Sequence, residues 1–103
     1  MIYDVLIFGG GVSGVSCALI LGSAQKKEFV ADKKIGIIAH QKGSMLQDAL
    51  FNNAYGITPG TLGCELLETS LENLASTYPQ INQILNEKVV SIEKQEDSFL
   101  VTT

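Results

Sequence analysis

Apolar residues fall along this chain in short runs separated by polar stretches of different length. Ile2-Tyr3-Asp4-Val5-Leu6-Ile7-Phe8 is apolar almost throughout, with several β-branched and aromatic side chains. That is the pattern of a parallel strand covered on both faces. The run stops at three glycines, Gly9, Gly10 and Gly11. From Val12 to about Ala24 the positions Val12, Val15 and Leu19, with the small Ser16 and Ala18, recur near helical spacing, and Gly22 lies near the end of the segment. Strand, tight turn and helix are expected in that order.

Gln25 to Lys34 is polar and charged, longer than a minimal return to a parallel strand, and reads as a surface elaboration. Ile35-Gly36-Ile37-Ile38-Ala39 is a second apolar run that completes a βαβ unit. Its C-terminal end faces the ligand side. His40 to Gly60 is rich in Gly, Ser, Asn and Pro, the composition of a long irregular loop. Loops of that length in compact domains are usually functional. A helix is expected from about Thr61, the candidate N-cap, with Leu62, Leu66, Leu67, Leu71 and Leu74 as its apolar stripe and Tyr78-Pro79 ending it. Ile81 to Leu85 is a candidate third parallel strand, and Lys88 to Ile92 and Phe99 to Thr103 read as two more. The order is β-α-β-loop-α-β-β-β, an α/β pattern without internal repeats.

Composition narrows the class of protein. The 103 residues are 46% hydrophobic and 17% charged, as in an ordinary α/β protein, and are expected to build one core rather than two domains. A formal charge of −4 leaves no basic face for a phosphate backbone, so nucleic acid is not an expected partner. Arginine is absent, and the lysines cluster at exposed-looking pairs such as Lys26-Lys27 and Lys33-Lys34. A phosphate ligand would therefore be held by backbone dipoles. The run Val5 to Phe8 is too short to span a bilayer, and no basic region precedes a cleavable apolar stretch; no membrane partner and a cytoplasmic location are expected. Cys17 and Cys64 do not form a C-x-x-C pair and read as small buried or half-buried fillers. His40 is the single histidine, and no carboxylate set accompanies it, so no metal is expected.

Each glycine of Gly9-x-Gly11-x-x-Gly14 has its own task when the motif links a strand to a helix. Gly9 permits the tight turn, Gly11 lets backbone approach a pyrophosphate, and Gly14 lets helix and strand pack closely. The anion then sits on free N–H groups near Val12 and Ser13, where the helix dipole adds up to about 1–2 kcal/mol. Dinucleotide sites of this kind normally place a carboxylate at the end of the second strand to hold the adenosine ribose. Here Ala39-His40 occupy that place. Asp32 matches the expected distance from the glycines but precedes the second strand, so it is expected to point away from the site. His40 either faces the ligand or stands in solvent, and an imidazole lacks the bidentate acceptor geometry of a carboxylate.

The segments Asp4 to Gly14, Lys42-Gly43-Ser44-Met45-Leu46, Asn52-Asn53-Ala54-Tyr55-Gly56, Leu62 to Leu67, Glu87 to Ile92 and Phe99 to Thr103 together resemble, in order and rough spacing, the first FAD-domain segment of thioredoxin reductase-like flavoproteins of the pyridine nucleotide-disulfide oxidoreductase superfamily. The resemblance covers nearly the whole chain. It implies a Rossmann-like FAD/NAD(P)-binding α/β domain with a parallel sheet and a β-meander, present here in incomplete form. It also implies FAD as cofactor: the pyrophosphate at Gly9, Gly10, Gly11, Val12, Ser13 and Gly14, the ribose at Ala39, His40 and Gln41, the flavin side at Ser44, Met45, Leu46 and Asn53, and a backbone contact to adenine at Val89. Asn53 is alternatively a residue that only organises its own turn.

Departures from the family pattern carry information as well. The family usually has Gln where Met45 stands and an acidic or small polar group near Ala39, so polar contacts to the cofactor are fewer. Its NADPH domain with the C-x-x-C dithiol, and the closing FAD-domain segment, have no counterpart in these residues. The chain is accordingly expected to be a piece of a longer polypeptide, or a half completed by a second copy or a complementary chain, with Phe99 to Thr103 an unprotected sheet edge. The first functional expectation is an FAD-dependent oxidoreductase, with NAD(P)H the implied electron donor and no catalytic side chain in this segment. The second is a non-catalytic FAD, NAD or ADP-binding or assembly module. A third, part of an NAD-dependent dehydrogenase, is disfavoured by the absent ribose carboxylate and the Asn-x-x-Gly loop.

Overall fold

The computed structural model describes residues 2–40 and 45–103. Three strands form a parallel sheet: β1 (Val5–Phe8), β2 (Ile35–Ala39) and, after two short strands described below, β5 (Asn82–Leu85). Their order is β1-β2-β5, with Val5 paired to Ile35, Phe8 to Ile38, and Ile38 in turn to Ile84. The central strand β2 is buried at every position. That burial explains why its sequence carries no polar alternation.

The helix α1 (Val12–Ala24) follows the glycine turn, and α3 (Gly63–Thr77) precedes β5. Both contribute to one core with the sheet: Val15, Ala18 and Leu74 meet Ile35, Ile37 and Ile81, with Val5 and Ile7 packed against them. Odd-numbered residues of β1 and β2 thus face the helices, as the two-residue period of a strand requires. The stretch between α1 and β2 contains a single-turn helix, α2 (Glu28–Ala31).

Four expectations are corrected. The long loop after β2 is not wholly irregular: a 3-10 turn (Met45–Asp48) is followed by β3 (Leu50–Phe51), which pairs antiparallel with β4 (Thr61–Leu62). Consequently α3 starts two residues later than expected, and Thr61 is not its N-cap; Leu62 occupies that position, while the Thr61 hydroxyl donates to the Thr58 carbonyl at 2.6 Å. The strand expected at Lys88 to Ile92 lies instead at β6 (Ser91–Lys94), paired antiparallel with β7 (Phe99–Thr102) in a two-stranded sheet separate from the parallel one. A turn closed by the Gln95 N–H donating to the Ser98 carbonyl (2.8 Å) sets that register, and it overrides the apolar pair Val89-Val90. Finally, Cys17 and Cys64 are both exposed rather than fillers. Cys17 lies on the side of α1 away from Val15 and Ala18, and Cys64 lies on the flank of α3, about a quarter turn from Gly63 and Leu67.

Candidate functional site

The C-terminal ends of the parallel strands carry the glycine turn. Gly9 has φ +108°, a conformation that side-chain-bearing residues rarely adopt, and its N–H donates to the Ile38 carbonyl at 2.8 Å. This bond extends the β1–β2 pairing one residue past the strand, so the turn begins anchored to the sheet. Gly14 is buried, and a Cβ built there would overlap the Gly9 carbonyl oxygen, lie 2.8 Å from its carbon and reach the Ile7 side chain at 3.6 Å. Only glycine lets α1 start this close to the strand it follows.

Gly11 is the N-cap of α1, extended at φ −82° and ψ −164°, and its carbonyl accepts the first helical bond from the Val15 N–H at 3.0 Å. Helix geometry leaves the N–H groups of Val12, Ser13 and Gly14 without intrahelical acceptors. No side chain caps them, no acidic residue lies in the first turn, and Val12 and Ser13 are exposed. The turn therefore presents a cluster of outward donors with positive dipole potential, fitted to an anion. Pyrophosphate is the anion whose two linked phosphates such a strand–turn–helix accommodates.

Beside the turn, Ala39 ends β2 and is buried, and its carbonyl accepts the Asn86 N–H at 2.9 Å. His40, next along the chain, is exposed. Val89 is half-buried and follows β5, whose last residue Leu85 pairs with Ala39. The structure thus brings Gly9 to Gly14, Ala39, His40 and the approach to Val89 to one edge of the sheet. Asp32 lies at the opposite edge, lining an approximately 590 Å³ groove with Gly22, Lys26, Lys33, Lys34 and Gln80. That groove stands at the N-terminal ends of the strands, away from the glycines.

The flavin-side residues are placed less closely. Gln41 and Ser44 lie outside the described residues. Met45 opens the 3-10 turn, and Leu46 is half-buried with its carbonyl oxygen so close to Gly63 that a Cβ there would overlap it. Leu46 thereby fixes the start of α3. Asn53 is exposed in the loop between β3 and β4, and it is the neighbouring Asn52 whose side-chain oxygen closes that loop by accepting the Gly60 N–H at 3.0 Å.

Sequence reading missed a second groove, about 500 Å³, lined by Ala39, Gln47, Glu68, Glu72, Gln83 and Asn86 at the ends of β2 and β5. The i, i+4 spacing of Glu68 and Glu72 was the available signal. Asn86, in the left-handed region at φ 60°, turns the chain there. Among the described residues there is no cluster of His, Cys, Asp and Glu suited to a metal ion, and no helix is long and apolar enough to cross a membrane.

A parallel sheet with a glycine turn at its carboxyl edge and two helices packed on it is the Rossmann-like arrangement of FAD/NAD(P)-binding domains, and comparison with known proteins agrees. The chain is similar over nearly its full length to oxidoreductases of the thioredoxin reductase-like class. It is 31% identical over 102 residues to ferredoxin–NADP reductase 1 of Bacillus velezensis, a match covering 97% of this chain and 29% of the relative. In structure it is similar to an oxidoreductase from Agrobacterium tumefaciens, with a TM-score of 0.75 at 24% identity over 99% of this chain and 31% of that one. A thioredoxin reductase from Gloeobacter violaceus gives a TM-score of 0.67 at 23% identity, over 97% of this chain and 29% of that one. The chain therefore spans less than a third of the length of these relatives. No family model matches it.

Proposed function

We propose that residues 1–103 form the front part of an FAD-binding domain belonging to a flavoprotein oxidoreductase, with NAD(P)H as electron donor to the flavin. The observation that carries this reading is the turn itself: Gly9 at positive φ, Gly14 pressed against the Gly9 carbonyl, and exposed N–H groups at the start of α1. The N–H groups of Val12 and Ser13 would hold the pyrophosphate, with Gly10 and Gly11 giving it close access to backbone. Ala39, His40 and Gln41 would line the adenosine, Val89 would meet adenine through its backbone, and Ser44, Met45, Leu46 and Asn53 would flank the flavin side. A bound flavin supplies the electron transfer; the chain's own residues bind and orient it. No side chain of this segment acts as nucleophile or general base in this reading. A cytoplasmic location fits that chemistry.

The test is the visible spectrum of the purified protein, with mass spectrometry of any released ligand. Flavin absorption bands and released FAD are expected, followed by bleaching on addition of NADPH where the complete electron path is present. A colourless protein that takes up no FAD at tens of micromolar, yet binds NAD or ADP, would sink the flavoprotein reading.

One observation favours a second reading, a nucleotide-binding or assembly module without turnover. The end of β2 offers an exposed imidazole at His40 in place of a carboxylate, so the ribose is gripped less firmly than the motif normally provides. Bound FAD that NADPH fails to bleach, in a preparation that stays folded, would select it.

A further inference from the structure

We draw no further inference here: the strongest candidate, the groove between the C-terminal ends of α1 and α3 that Lys26, Lys33 and Lys34 line together with Asp32, is an open surface of exposed side chains of both charges, and nothing in the structure shows what covers it.

Discussion

The ring of Tyr78 rests on Gly22, so that the residue ending α3 covers the last turn of α1. A Cβ at Gly22 would lie 2.7 Å from the Tyr78 Cγ and 3.0 Å from its Cβ and Cδ2. Cβ and Cγ are at the root of the side chain, and rotation of the ring about the bond between them cannot move them away. The contact is reinforced by Gln80, whose side chain donates to the Gly22 carbonyl at 3.4 Å. Gly22→Ala is expected to cost about 1–3 kcal/mol as overpacking. Thermal unfolding should show it as a lower Tm, and combining it with Tyr78→Ala should give less than the sum of the two single effects. Additive losses would mean that the two residues do not share this contact.

Gly9 and Gly14 should fail differently when replaced by alanine. At Gly9 a Cβ has open space but the backbone has φ +108°, so the expected cost is conformational, about 1–2 kcal/mol. At Gly14 the backbone is helical but a Cβ overlaps the Gly9 carbonyl, and the expected cost is about 3 kcal/mol. Denaturant unfolding of the two variants should rank Gly14→Ala below Gly9→Ala. The reverse order would contradict the close approach of helix and strand.

Val12→Pro separates binding from folding. Val12 is the first helical residue, where proline is tolerated, and Gly11 before it is already extended, as a residue preceding proline prefers to be. The variant should therefore unfold within a few degrees of the parent. It lacks one of the outward N–H groups, and a lost charge-assisted hydrogen bond of about 1.5 kcal/mol should weaken FAD roughly tenfold. Fluorescence titration with FAD reads this directly, and unchanged affinity in a folded variant would place the pyrophosphate elsewhere.

His40→Glu returns a carboxylate to the end of β2. In the proposed site it would accept from the ribose hydroxyls, and since the position is exposed the expected gain is about 1 kcal/mol, or roughly fivefold tighter FAD. Calorimetric titration of FAD and of ADP should show the gain for both. A loss of affinity would mean that the adenosine does not pass this strand end.

The unit from β1 through β2 was legible because each signal is local: an apolar run, three glycines, a helical repeat and a second apolar run. The limits of α1 and β2 agree with the sequence pattern to the residue. What was not legible depends on partners distant in sequence. Thr61 looks like an N-cap until Leu62 is found paired with Leu50, a two-residue ribbon too short to show any period. β6 was misplaced by three residues because its register follows the turn after it. Cys17 looked like a filler in an uncharged helix, since composition gives no hint of which face lacks a neighbour. At the site, the tight turn at Gly9 and the close packing at Gly14 were legible from the glycine spacing read between a strand and a helix. That Asn52 rather than Asn53 ties its loop, and that Asn86 holds the end of β2, were not.

The order β1-β2-β5 also sets a timetable for a chain made from its N-terminus. The anion cradle and its anchoring bond from Gly9 to Ile38 need nothing beyond the first forty residues, so they can form while the rest is still being synthesised. β2, however, has its second neighbour some forty-five residues later, and until Leu85 emerges one side of its five buried residues has no strand beside it. The nascent protein thus carries a finished glycine turn on an unfinished support. If the turn binds a dinucleotide as proposed, its early capture would hold the half-built sheet together until the third strand arrives.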